Sequence, residues 1–160
     1  MTTRKRQYSR VGAVSPRWPT AMVAGLILNV IAAVAPVVDI ATVDTISDHV
    51  RSAYPTWDHA LVTADRNAMV IYLVVTGVLG IISWVFVIWA VITGKRWARA
   101  TATCAFIVGA LFALMNLTLG GGNYDVILPT GYGVLTLLPC LAGLAAVVSL
   151  WRPKHRSEYS

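Results

Sequence analysis

Charged residues are scarce in this chain. Asp, Glu, Lys and Arg together make up 12% of its 160 residues, whereas 57% of the residues are hydrophobic. Charged residues usually account for about a quarter of a soluble globular sequence, because they cover the surface that faces water. The composition therefore excludes an ordinary soluble domain and predicts one compact membrane domain.

Cysteine is also rare, and its placement excludes a disulfide. Cys104 lies near the start of the third apolar run and Cys140 lies near the middle of the fourth. At 1.5 Å per helical residue the two depths differ by about 10 Å. A disulfide needs Cα atoms within about 7 Å of each other. We therefore interpret both cysteines as small packing residues.

The chain contains four apolar runs, each long enough to cross a bilayer. A spanning helix needs about 20 consecutive apolar residues. The predicted spans are residues 20–42, 68–93, 100–120 and 131–151. They predict an all-α membrane protein with a four-transmembrane-helix bundle over residues 20–151. Residues 43–67 and 121–130 are the predicted outer loops, and residues 1–19 and 152–160 are short tails.

Positive charge is concentrated on one side of these spans. Eleven of the thirteen Lys and Arg residues lie in the two tails or in the turn at residues 94–99. Lys and Arg in short connections favour the cytoplasmic side of a membrane. The pattern predicts a multi-pass protein of the plasma membrane with both termini in the cytoplasm. Because the basic residues follow the topology and do not form a stripe, nucleic acid is excluded as a partner.

A secretory signal peptide is the alternative interpretation of the first apolar run. The tripeptide Ala33-Val34-Ala35 resembles a small-residue cleavage site. Two features favour a retained span: the apolar run over residues 21–40 is longer than a signal-peptide core, and Pro36 would follow the cut. Cleavage would leave three spans and place the N-terminus outside.

Small residues at four-residue spacing predict where helices approach closely. On the third and fourth spans they are Ala105, Gly109, Ala113, Ala142 and Ala146. Such stripes pack either the helices of one chain or the helices of a homo-oligomer. Gly77 and Gly80 have no side chains, so they narrow the second span and let a neighbouring helix approach it. Asn29, at mid-depth in the first span, predicts an interhelical hydrogen bond, with a place in a transport path as the alternative.

The first outer loop carries a helical pattern. Its apolar residues recur at spacings of three and four, as Ile46, Val50, Tyr54, Trp57, Leu61 and Ala64. This spacing predicts an amphipathic helical segment lying at the membrane interface. Pro55 divides the segment, and Thr56 is placed to cap its second half. The candidate recognition residues of this outer face are Tyr54, Trp57, Asp58, His59 and Leu61.

Two Asp-His dipeptides lie in the same loop, at Asp48-His49 and Asp58-His59. Carboxylate and imidazole groups can bind a divalent metal or act as a general base. Their spacing matches no metal-site signature, and adjacent helical residues point about 100° apart. The three glycines at 120–122 lack the Gly-Lys-Ser or Gly-Lys-Thr of a phosphate-binding loop. We therefore predict no metal site, no cofactor and no catalytic residue.

Two short segments carry a resemblance. They are the turn Gly94-Lys95-Arg96-Trp97-Ala98-Arg99 and the exit Leu150-Trp151-Arg152-Pro153, with a short tail that reaches Tyr159. In these segments the chain resembles small four-span integral membrane proteins of high-GC Gram-positive, actinobacterial type, most of which have no assigned function. The resemblance implies a four-span bundle and supplies no catalytic residues.

Three classes of function remain open. The favoured hypothesis is an accessory, assembly or binding subunit of a membrane or envelope complex, because the outer loops are the only elaborate parts of the chain. Its partners would be the lipid bilayer and a membrane protein or further copies of itself. The alternative is a protomer of a small oligomeric transporter or channel, although no ionisable residue lies deep in a span. A membrane enzyme with an outer Asp/His site comes third.

Overall fold

A computed structural model describes residues 17–151, so most of the predicted N-terminal tail and all of the C-terminal tail lie outside the described residues. The described part of the chain is all-α, as predicted. Its helices are α1 (Arg17–Thr42), α2 (Thr45–Ala53), α3 (His59–Ile92), α4 (Ala98–Thr118) and α5 (Thr130–Trp151).

Four of these helices, α1, α3, α4 and α5, are long and apolar enough to cross a membrane. The predicted four-span bundle is therefore confirmed. Each span keeps large apolar side chains on its outer surface: Ile27, Leu79, Leu111 and Leu141 are 54–62% exposed. A soluble protein rarely exposes so continuous an apolar surface, whereas hydrocarbon solvates it well.

The four spans form a ring in which one contact is weak. α1 packs against both α3 and α5, and α4 packs against α5. The contact between α3 and α4, which we call the α3–α4 seam, is much less extensive. The ring therefore surrounds a space that the helices do not fill.

α1 and α3 approach each other closely at Gly77. A Cβ atom added to Gly77 would lie 2.6 Å from the Cβ of Ala33 and 2.9 Å from its Cα. Beside this contact, Asn29 donates a hydrogen bond from Nδ2 to the carbonyl oxygen of Gly77, at 2.8 Å. Small residues let the two backbones meet, and the Asn29 side chain then ties them together at mid-depth.

α3 is longer than a membrane is thick. Its 34 residues span about 51 Å, against about 30 Å of hydrocarbon. The excess lies at its N-terminal end, where the helix begins at His59 and not near residue 68. Asp58 stabilises this start, because its side chain accepts a hydrogen bond of 2.8 Å from the Leu61 amide. The prediction that Thr56 caps this helix was wrong, since Thr56 lies two residues too early.

The predicted outer-face helical segment is confirmed as α2, but protein covers its apolar side. Ile46 and Val50 are fully buried, in a cluster with Val62 and Met69 of α3 and Leu128 of the second outer loop. The segment was expected to rest its apolar residues on the membrane. The difference has a physical reason: amphipathic spacing requires an apolar neighbour without specifying whether lipid or protein provides it.

Candidate functional site

The two outer loops fold together into one unit. We call it the outer cap and define it as residues 43–69 and 119–129. Within it, Arg66 of α3 forms an ion pair with Asp44, which precedes α2, at 2.9 Å. Asp39, near the end of α1, accepts a hydrogen bond of 2.7 Å from the Thr45 hydroxyl. These contacts fix α2 against both α1 and α3.

Three hydrogen bonds fasten the second outer loop to the first. Tyr124 donates to Asp65 Oδ2 at 2.6 Å. His49 donates from Nε2 to the Val126 carbonyl at 3.0 Å, and the Asn123 amide donates to the Tyr54 hydroxyl oxygen at 3.1 Å. Burial and the hydrogen bond to Asp65 raise the pKa of Tyr124 above its ordinary value, so its phenol remains a donor at physiological pH.

Aromatic rings fill the space between the two loops. Tyr54 and Trp57 stack with ring centres 3.9 Å apart, and His49 stacks on Tyr124 at 5.2 Å. Tyr54 also meets the Tyr124 ring edge to face. Two features favour glycine at position 122. Its backbone is left-handed, with φ +60°, and the Tyr54 hydroxyl occupies the place where a Cβ atom would lie. Tyr54 and Trp57, predicted as recognition residues, therefore shape the cap from inside.

The other predicted recognition residues lie on the surface of the cap. Asp58 is exposed and caps α3, as described above. His59 is exposed, with Nδ1 at 2.9 Å from the Thr63 hydroxyl, and Leu61 is 51% exposed. All five recognition residues stay predictions: Asp58, His59 and Leu61 are exposed, and Tyr54 and Trp57 are half-buried. Sequence reasoning did not anticipate that His49 would bind the second loop, because its partner lies 77 residues away.

The two Asp-His dipeptides do not converge on one point. Each histidine directs a ring nitrogen to a different partner, His49 to Val126 and His59 to Thr63. Within residues 17–151, no three His, Cys, Asp or Glu side chains are grouped so that they could hold a metal ion.

Asp44 occupies an unusual position in the cap. It is the only non-glycine residue of the described chain with a positive φ, 55°. Burial raises the pKa of its carboxyl, but hydrogen bonds from Ser47 and Arg66 and the Arg66 charge outweigh that effect. The pKa of Asp44 therefore lies below its ordinary value of 3.8. The ionised carboxylate is the form that the folded cap stabilises.

Acid should destabilise the outer cap by protonating Asp44. A carboxyl group with a depressed pKa stabilises the fold fully above its unfolded-state pKa, and that contribution disappears as pH falls through the folded-state pKa. We expect hydrogen exchange of the α2 amides, corrected for intrinsic rates, to accelerate as pH falls below about 4.

The control for this prediction is Asp44→Asn, because asparagine tolerates the left-handed backbone but carries no charge. This variant should show a less protected α2 at neutral pH and a smaller acid-induced change than the wild-type chain. An unchanged acid-induced response would assign the transition to the other carboxylates of the cap.

A second feature lies below the cap, inside the ring of spans. It is a cavity of about 500 Å³ lined by residues of α1, α3, α4 and α5. No Asp, Glu, Lys, Arg or His of the described chain lines it. Asn116, which is 8% exposed, forms part of its wall and accepts a hydrogen bond of 2.8 Å from the Tyr72 hydroxyl.

The predicted packing stripe on α4 faces this cavity. Ala105, Gly109 and Ala113 line it, as does Ala146 of α5, whereas the half-buried Ala142 does not. A tight contact was expected at Gly109, but a Cβ added there would meet only a sulfur atom, that of Cys140, at 4.0 Å. At Gly109 this face of α4 therefore has no close neighbour. Ala105 packs against the buried cluster that includes Met22, and Ala113 is 2% exposed.

Comparison with known proteins adds no relative: no family model, curated protein or solved structure matches this chain. The resemblance to actinobacterial four-span proteins stays a prediction, and function must be argued from the outer cap and the cavity.

Proposed function

We propose that this chain is an accessory or binding subunit of the plasma membrane, with both termini in the cytoplasm and the outer cap as its partner-binding surface. The observation that carries the proposal is the set of hydrogen bonds between the second outer loop and three residues of the first, His49, Tyr54 and Asp65. Loops that only connect spans need no fixed shape. A surface held in one shape loses less conformational freedom when a partner binds.

The charge of the outer cap indicates the chemistry of that partner. The cap contains five carboxylates and two arginines, and one of these arginines is paired with Asp44. Asp48, Asp58 and Asp125 are exposed. An acidic surface accelerates association with a basic partner and disfavours an acidic one. We therefore propose a membrane protein with a basic outer segment as the partner.

Single-cysteine variants test the topology and the binding surface together. In a Cys104→Ala, Cys140→Ala background, Ala60→Cys places a thiol on the exposed side of the cap, and Arg96→Cys places one in the opposite turn. In intact cells a membrane-impermeant maleimide should label Ala60→Cys and leave Arg96→Cys unlabelled until the membrane is permeabilised. A thiol-directed cross-linker at Ala60→Cys should then capture one defined membrane protein.

The matched control for the cross-linking experiment removes negative charge from the outer cap. Asp48→Asn with Asp125→Asn keeps the side-chain shape and removes two exposed charges, so the cross-linked product should fall severalfold while the cap stays folded. Labelling of Arg96→Cys from outside would contradict the topology. Capture that persists unchanged in the double Asn variant would contradict binding by the acidic surface.

A further inference from the structure

Packed residues lie at both ends of the central cavity. At the outer end stand Leu73, which is 4% exposed, and the hydrogen bond between Tyr72 and Asn116. At the inner end, Met22, Val87, Ala102 and Ala146 form a buried cluster. Buried side chains therefore restrict access to the cavity from either end of the spans.

The cavity opens sideways, through the α3–α4 seam. Three of its lining residues at this seam are largely exposed: Leu79 of α3 by 60%, and Val108 and Phe112 of α4 by 53% and 46%. Because α3 and α4 are membrane spans, the medium at this opening is the hydrocarbon of the bilayer. A molecule that enters here arrives from the lipid.

Most of the wall is apolar, and its hydroxyl and amide side chains are few: Asn29, Thr76, Ser83, Thr101, Asn116 and Thr136. Asn29 and Asn116 are hydrogen-bonded to Gly77 and Tyr72, and the Thr136 hydroxyl donates to the Gly133 carbonyl at 2.8 Å. Among the described residues, the buried side-chain polar atom without a partner is Asp44 Oδ1, which lies in the outer cap. A buried water molecule needs two to four polar partners, and apolar cavities stay dry.

We propose that this cavity is a binding site for a hydrocarbon chain, an acyl chain of a membrane lipid inserted through the α3–α4 seam. Its volume of about 500 Å³ is roughly three times that of a dry apolar cavity that accepts benzene. The lining suits a flexible chain, because the small residues Ala105, Gly109 and Gly143 leave room for it. This proposal does not depend on what binds the outer cap.

A photoactivatable lipid tests the site in the full-length protein. The probe is phosphatidylcholine with a diazirine in the middle of one acyl chain, mixed into phosphatidylcholine vesicles that contain the protein. Irradiation should give adducts on half-buried residues that line the cavity, such as Phe106 and Thr136. Adducts on outward-facing residues such as Ile27 and Leu141 provide an internal reference.

Gly109→Leu should remove the interior adducts, because its side chain has space to enter the cavity. We expect their yield, relative to the outer adducts, to fall about tenfold, equivalent to ~1.4 kcal/mol. Gly131→Leu is the matched control: nothing lies within 4 Å of a Cβ added at Gly131, and this residue does not line the cavity. Cys140→Leu fills the cavity from α5 and repeats the test independently.

Two results would overturn the proposal. One is the absence of interior adducts in the wild-type chain, or an equal yield in wild-type, Gly109→Leu and Cys140→Leu proteins. The other is a dimer in vesicles whose copies cross-link to each other through Leu79 and Phe112, because a second copy would then cover the opening. Capture of a partner by the outer cap would be unaffected by either result, so the two proposals fail separately.

Discussion

Gly77→Ala should destabilise the four-span bundle by about 2 kcal/mol, within the range of overpacking a close contact. The added Cβ would stand 2.6 Å from the Cβ of Ala33 and 2.9 Å from its Cα. A backbone atom cannot rotate away as the end of a flexible side chain can. α1 and α3 must therefore separate, and the hydrogen bond from Asn29 to the Gly77 carbonyl lengthens as they do.

Gly109→Ala is the matched control for this prediction. It makes the same change in a neighbouring span, but its new Cβ meets only Cys140 Sγ, at 4.0 Å. Alanine is a better helix former than glycine by about 1 kcal/mol, so this variant should be neutral or slightly more stable. Reversible unfolding in mixed micelles measures both. Equal stability of the two variants would contradict the prediction, because it would show that α1 and α3 can separate at little cost in free energy.

The spans could be predicted from the sequence because hydrocarbon imposes a simple requirement. About 20 apolar residues are needed to cross it, and each of the four runs satisfies that length. The outer start of α3 could not be located in the same way. The spacing of Trp57, Leu61 and Ala64 predicts a short helix separate from the span. In the structure Asp58 caps this helix, α2 packs on Val62, and the helix continues into the span.

The outer cap depends on contacts that no local pattern reveals. Arg66 pairs with Asp44 across 22 residues, and Tyr124 reaches Asp65 across 59. Neither spacing is a helical or turn period, so the sequence shows these residues only as scattered charges and rings. The burial of Ile46 and Val50 was partly predictable, since the spacing requires an apolar neighbour, but the neighbour is protein and not lipid.

The α4 stripe illustrates the opposite case. Ala105, Gly109 and Ala113 predict a close helix contact, yet a face of small residues suits a cavity wall equally well. The difference lies in the α3–α4 seam, which depends on how all four spans share their contacts.

Val50→Ala should release α2 from the cap, whereas Val43→Ala should not. Val50 is fully buried and Val43 is 72% exposed, so one chemical change is compared at two depths. Removing two buried methyl groups costs about 1.6 kcal/mol in transfer free energy, and the space left behind adds to this. We expect a loss of about 2 kcal/mol, which corresponds to roughly 30-fold faster hydrogen exchange of the α2 amides in vesicles.

The same experiment decides what α2 rests on. If Ile46 and Val50 pack against Val62 and Leu128 as described, Val62→Ala in α3 should accelerate exchange in α2 by a similar factor, although it lies outside α2. A helix seated on lipid would respond to Val50→Ala alone and ignore a change in α3. Exchange that remains slow in Val62→Ala would therefore indicate that α2 packs on lipid, and it would contradict a fixed outer cap.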